Sequence, residues 1–136
     1  GFVGANNKLS GRVMPAHGAS QGLVSLTTGQ GLAMRARAIG QIAPGQVVEA
    51  FVRPEAISLA RHADELPAEH PRHAGQVESL LFDGANSAVL LREAGSRSEF
   101  RIALPQTGQF ADLRIGETVA FSYDPQHAVC FASGSA

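Results

Sequence analysis

Residues 61–74 hold the densest set of groups able to do chemistry in this chain. His62, His70 and His73 stand there with Asp64, Glu65 and Glu69, and neutral imidazoles with carboxylates form a zinc-type donor set. The same stretch is charged, broken by Pro67 and Pro71, and nearly free of large apolar groups. It reads as a solvated linker, where nothing holds ligands in a tetrahedral arrangement, so no metal site is assigned. His17 and His127 stand alone. Cys130 lies in an apolar run, where a thiol is a core group rather than a nucleophile. The serines form no nucleophile-plus-base arrangement. No Gly-x-x-x-x-Gly-Lys-[Ser/Thr] loop is present to cradle phosphates, and Lys8 is the only lysine. The chain alone is therefore expected to be neither a catalyst nor a cofactor carrier.

The elements that position these groups read as short strands. Fifteen glycines and seven prolines punctuate apolar segments in a chain of 136 residues, the pattern of an all-β domain. Ser98–Leu104 alternates cleanly, with Phe100, Ile102 and Leu104 on one face; Glu117–Tyr123 does the same with Val119, Phe121 and Tyr123. Leu32–Ala38 alternates with Arg35 and Arg37 outward. Further strands are expected over Lys8–Met14, Gly22–Thr27, Gln46–Arg53, Ile57–Ala60, Gly75–Phe82, Ser87–Glu93 and Ala128–Ala132. Thr28-Gly29-Gln30-Gly31, Asp83-Gly84-Ala85-Asn86 and Glu93-Ala94-Gly95-Ser96 read as turns. Only Phe110–Arg114 could form a single helical turn.

Two proline corners stand out. Val52-Arg53-Pro54-Glu55 joins one apolar run to the next, and Tyr123-Asp124-Pro125 repeats the arrangement later. Gly45/Gly116, Val48/Val119 and Pro54/Pro125 stand at one constant offset. Gly11-Arg12-Val13 and Gly75-Gln76-Val77 open the two halves similarly. The expectation is two pseudo-repeated lobes, 1–60 and 75–136, joined by the linker 61–74. Arg53 and Glu55 flank the first corner and are absent from the second; they could pair with each other or with the neighbouring lobe, and as the candidate interdomain contact they would meet a partner subunit or a nucleotide-binding domain. As an exposed pair they would contribute only about 0–1 kcal/mol.

Bulk properties narrow the partners. The hydrophobic share of 44% supports a core, mean hydropathy is near zero, and no apolar run approaches the roughly 20 residues of a bilayer-spanning helix. With net charge −1 from 11 basic and 12 acidic residues, and aromatics that mostly alternate inward, no nucleic-acid binding is expected. The single cysteine excludes an internal disulfide and fits a reducing compartment. The opening Gly1-Phe2-Val3-Gly4 reads as a cut through a longer polypeptide.

Several segments together resemble one family. Phe2-Val3-Gly4-Ala5-Asn6-Asn7, Gly11-Arg12-Val13, Gly45-Gln46-Val47-Val48, Val52-Arg53-Pro54-Glu55-Ala56-Ile57, Gly75-Gln76-Val77, Phe82-Asp83-Gly84 and Gly116-Glu117-Thr118-Val119 are similar in order and spacing to the C-terminal TOBE region of ABC-importer ATPase subunits, of the spermidine/putrescine and ferric-iron type. The distinctive combination is Phe-Val-Gly-x-x-Asn with Val-Arg-Pro-Glu. The resemblance implies an OB-like β-barrel or sandwich of short antiparallel strands that follows a nucleotide-binding domain. It implies a role in subunit dimerisation and regulation of ATP-driven transport. The implied partners are a second copy of the ATPase subunit, the upstream nucleotide-binding domain and the membrane permease subunits. ATP and Mg would belong to that parent, and the location would be cytoplasmic, at the inner face of the cell membrane. The alternative is a small-anion or metabolite sensor using glycine-rich turns and Ser25, Thr27, Thr28 and Ser87.

Overall fold

The computed structural model describes residues 6–15, 22–83, 86–105 and 107–133. Ten strands run through them: β1 (Asn7–Val13), β2 (Leu23–Thr28), β3 (Ala33–Ala38), β4 (Val47–Val52), β5 (Ile57–Ala60), β6 (Arg72–Asp83), β7 (Asn86–Glu93), β8 (Glu99–Ala103), β9 (Thr118–Tyr123) and β10 (Ala128–Ala132). The fold is all-β, as expected from the short alternating segments. The turn expected at Phe110–Arg114 closes through one bond, Leu113 N–H to the Phe110 carbonyl at 3.2 Å. Gly84 and Ala85 of the expected turn at 83–86 lie outside the described residues.

The strands form two sheets. The first closes into a barrel in the order β1-β2-β3-β10-β4, and the second is open in the order β5-β9-β6-β7-β8. All pairings are antiparallel except β3 with β10. Matching positions of the two halves occupy matching places. Val52 pairs with Ala128 in the first sheet, and Tyr123 pairs with Ile57 in the second. Each proline corner thus hands the chain to the other sheet: β5 leaves the first half for the second sheet, and β10 returns to the first. The sheets do not follow the segments 1–60 and 75–136.

Both corners have the same local construction. Pro54 and Pro125 are buried and each begins a 3-10 turn, Pro54–Ala56 and Pro125–His127. Proline's fixed φ suits the start of such a turn, where its missing N–H costs nothing. The Asp124 side chain caps the second turn by accepting from Gln126 N–H, whereas Arg53 provides no side-chain cap to the first.

Side chains from both sheets meet in one core. Leu26, Met34, Val48 and Val52 pack in the same cluster as Val89, Phe100, Ile102, Phe121 and Tyr123. Each such side chain contributes roughly 1.5–3 kcal/mol on full burial. Gly11 and Gly75 hold equivalent places in β1 and β6, opposite Val48 and Val119. A Cβ on Gly11 would come 2.6 Å from the Thr27 carbonyl oxygen, and one on Gly75 would come 3.2 Å from the Phe121 ring.

The stretch 61–74 is exposed at residues 62–65 and 67–69 but is anchored along its length rather than free. Leu66 is buried against Ala60 and Ala120. The Arg72 guanidinium donates to the Leu66 carbonyl at 2.9 Å, and Arg61 bonds Glu117 at 2.9 Å and also Asp112. One leucine and two arginines pin the segment as a flap over the outer face of β9, and β6 already begins at Arg72. Ser122 in β9 is buried, and Thr118 alone of this strand's residues is exposed.

The two sheets differ at one matched position beside the edge where the first closes and the second stays open. Ala38 and Leu104 correspond, each donating its N–H to the carbonyl before the partner strand's equivalent residue, Gly22 and Ser87. The next residue in the first half, Ile39, donates its N–H to the Cys130 carbonyl at 2.9 Å and extends the β3–β10 pairing. Its counterpart is Pro105, which has no N–H.

Candidate functional site

The seam between the sheets is held by side chains reaching across it. Asn7, at the start of β1 and buried, donates through Nδ2 to the Arg101 carbonyl at 2.8 Å and accepts the Arg101 N–H at 2.7 Å. Nδ2 also donates to the Val52 carbonyl at 3.1 Å. Its amide therefore acts as a one-residue neighbour strand on the free edge of β8. The hydroxyl of Ser98 supplies a second tie, donating to Gln30 Oε1 at 2.8 Å.

Behind Ser98 lies a buried carboxylate. Glu93 accepts the Ser96 N–H at 2.6 Å and the Ser96 hydroxyl at 2.7 Å. Burial acts to raise its pKa, but hydrogen bonds from Ser96 and Gly95, with nearby His73, outweigh it and leave the carboxyl below the usual range. In the first half the same job falls to Thr28, whose hydroxyl accepts the Leu32 N–H at 3.0 Å. His73 is packed 5.3 Å from the Phe121 ring centre and stacked 6.3 Å from Tyr123. Burial lowers its pKa, with Glu93 opposing, and its Nε2 has no partner among the described residues. Burial also pushes the Tyr123 phenol up to about 12 and raises the Cys130 thiol, which sits fully buried in β10 as a core group.

Two clefts border this seam. A polar one of about 510 Å³ is lined by Lys8, Ser10, Thr28, Gln30, Arg92 and Ser98, among others. Its cations already have carboxylates: Lys8 stands 3.6 Å from Glu49, and Arg92 2.6 Å from Glu78 and 3.6 Å from Glu99. The second cleft, about 390 Å³, lies where β5 fails to close on β8, with Ser58, Leu59, Ala103, Leu104 and Pro105 in its wall.

Glu55 lines that second cleft. Arg53 and Glu55 are both exposed and make no ion pair with each other among the described residues. Two residues apart around a turn of three residues, their side chains leave in different directions. Of the outward arginines, Arg35 and Arg37 are exposed on β3, while Arg101 is half-buried with its backbone held by Asn7. Among the described residues no group of three or more His, Cys, Asp and Glu side chains is arranged to hold a metal ion.

Three features escaped the sequence reading. Phe51 and Phe131 do not point inward. They meet edge-to-face at 5.8 Å on the outside of the closed barrel, and Phe131 is 40% exposed. The role of Asn7 had no signal beyond its place at the end of Phe-Val-Gly-x-x-Asn; residues 1–5 lie outside the described residues. Gly18-Ala19-Ser20-Gln21-Gly22 spells Gly-x-Ser-x-Gly. That spelling needs a strand-to-helix turn to be a nucleophile elbow. Ser20 and His17 lie outside the described residues, and the flanking elements β1 and β2 are both strands.

The family model for the TOBE domain matches residues 50–131, more than half of the chain. The chain belongs to the TOBE domain family. The match takes in both proline corners and the two strands exchanged through them. No curated protein matches the chain. Among solved structures, it is similar to the cytoplasmic molybdate-binding protein ModG in a crystal form with molybdate bound. That likeness has 19% identity and a TM-score of 0.77, and covers 94% of this chain and 96% of ModG. At that identity the likeness establishes the fold. Among the described residues no helix is long and apolar enough to cross a membrane.

Proposed function

We propose that this TOBE domain is the C-terminal accessory region of the ATP-binding subunit of an ABC-type solute importer, supporting subunit dimerisation and regulating ATP-driven transport. The observation that carries this reading is where its two distinguishing motifs fall. Asn7, which ends Phe-Val-Gly-x-x-Asn, is the buried amide tying β1 and β4 to β8. Pro54, within Val-Arg-Pro-Glu, is the buried pivot that sends the chain into the second sheet. Residues behind the resemblance thus help join the two sheets, which share a single core. A rigid body with a single core passes a displacement at one face to the other, which suits a spacer between an ATPase domain, its partner copy and the permease. In this reading the nucleotide chemistry belongs to the parent subunit.

The test is the longer polypeptide. A phosphate loop and an ABC signature are expected upstream of Gly1, and deleting residues 1–136 from that subunit should lower its dimerisation or uncouple its ATPase from transport. An upstream region without those motifs overturns the proposal.

A second reading, binding of a small oxyanion, is favoured by the likeness to ModG along nearly the full length of both chains. It ranks lower because the cations of the polar cleft are already matched by carboxylates. Molybdate, tungstate, sulfate and phosphate should each be tried for a rise in melting temperature; a bound anion stabilises the fold by mass action, and no shift with any of them removes this reading.

A further inference from the structure

We infer that two copies of this domain associate antiparallel, the closed barrel of each against the flap of the other, through complementary charge around an aromatic patch. The inference rests on the proposed role in dimerisation and specifies its surface.

The chain's near-zero net charge hides a segregation. Lys8, Arg12, Arg35 and Arg37 precede residue 53 with a single acid, Glu49, and β10 carries no charge, so the closed barrel is net positive. With an overall charge of −1, the remainder is net negative. The strand register lays out the barrel's outer face. Arg37 pairs with Val129, Val129 with Phe51, and Phe51 with Lys8, so Phe51 and Val129 sit between two cations, with Phe131 beside them. Neither Arg35 nor Arg37 makes an ion pair among the described residues.

The flap carries the complementary set. Asp64, Glu65 and Glu69 are exposed and make no ion pair among the described residues. Both groups border the same landmark. Arg37 Nε donates to the Gln126 carbonyl at 3.1 Å, and His70 at the end of the flap lies 3.9 Å from Asp124. The Asp124–His127 corner therefore has the barrel's cations and the pair of half-buried Phe51 and exposed Phe131 on one side, and the flap's carboxylates on the other. A surface bipolar about one point is self-complementary under a two-fold rotation, which makes the contact twice and closes the assembly. Burying the apolar patch supplies the favourable area, and the charges set orientation.

A charge-swap series in sedimentation velocity tests this. Wild type should self-associate, more weakly as salt rises. Arg35→Glu with Arg37→Glu, and separately Asp64→Lys with Glu65→Lys and Glu69→Lys, should each weaken self-association at least about tenfold. Mixing the two variants should restore a dimer that neither forms alone. Arg35→Glu by itself, at a side chain without a hydrogen-bonding role in the described structure, guards against misfolding, and melting curves check all variants. A wild-type monomer at every concentration overturns the inference. A dimer unmoved by either reversal overturns this surface while leaving dimerisation through the region standing. The motifs upstream of Gly1 decide the importer reading separately.

Discussion

The closed barrel and the open sheet are the same plan executed twice, and they differ by a few atoms at one edge. In the first, Ile39 N–H reaches the Cys130 carbonyl and β3 seals against β10. In the second, Pro105 has no hydrogen to offer, and the free edge of β8 is taken at Arg101 by the Asn7 amide. The cleft lined by Ser58, Leu59, Ala103 and Leu104 occupies the place of the missing pairing. The two sheets share their strand order, so what separates the closed one from the open one lies at this edge, where a donor is present in one and missing in the other. What the second sheet loses in closure it gains as a docking edge for its neighbour.

The largest expected effect comes from removing that docking. Asn7→Ala leaves the Arg101 N–H and carbonyl without their partner in the seam, and should cost about 3 kcal/mol in urea denaturation. A loss below about 1 kcal/mol would show that the seam does not depend on this amide. The paired glycines come next. Gly11→Ala must displace backbone, since the new Cβ meets the Thr27 carbonyl at 2.6 Å, whereas Gly75→Ala presses a ring edge at 3.2 Å. About 2 kcal/mol is expected for the first and about 1 kcal/mol for the second; the reverse order breaks the equivalence of β1 and β6.

Acid should then separate the two sheets. His73, with its pKa lowered in the fold, leaves the unfolded chain holding more protons below about 6.5, so stability falls as pH drops from there toward the folded value. Glu93, also lowered, contributes stability above about pH 4.5 that is lost as pH falls through its folded value. Both belong to the second sheet. The counterpart of Glu93 in the first, Thr28, does not titrate. His73→Phe should remove the upper phase of acid destabilisation and Glu93→Gln the lower one. An unchanged stability profile in both variants would place the acid sensitivity elsewhere. The smallest effect is expected at Pro105→Ala, where a regained hydrogen bond offsets a freer unfolded chain to within about 0.5 kcal/mol. Its readout is slow hydrogen exchange at the new amide if β5 and β8 close. Fast exchange there would mean that the missing donor is not what holds them apart.

Strand positions were legible because alternation is a local property. Ile57–Ala60 and Ala128–Ala132 are where the pattern placed them, and the constant offset between the proline corners became a shared 3-10 turn. The exchange of β5 and β10 was not legible, since nothing in a strand's own residues names the sheet it joins. The flap was missed because its anchor is a single leucine among charges. The outward pair of Phe51 and Phe131 was not legible, because alternation fixes which residues share a face but not which face is covered. For the candidate site, Arg53 and Glu55 flank the corner, and among the described residues they do not pair with each other because the turn separates them. The weight at the seam lies with Asn7 and Glu93, polar residues whose burial depends on partners nearly a hundred positions away or on a hairpin that folds back on itself.

The swapped strands also set a schedule for biosynthesis. A ribosome delivers β1 to β4 first, but the barrel they begin needs β10, the last of the described strands to be made. Until then the first sheet waits with an open edge, and trimming a handful of residues after Tyr123 would disable the half of the domain that was synthesised earliest.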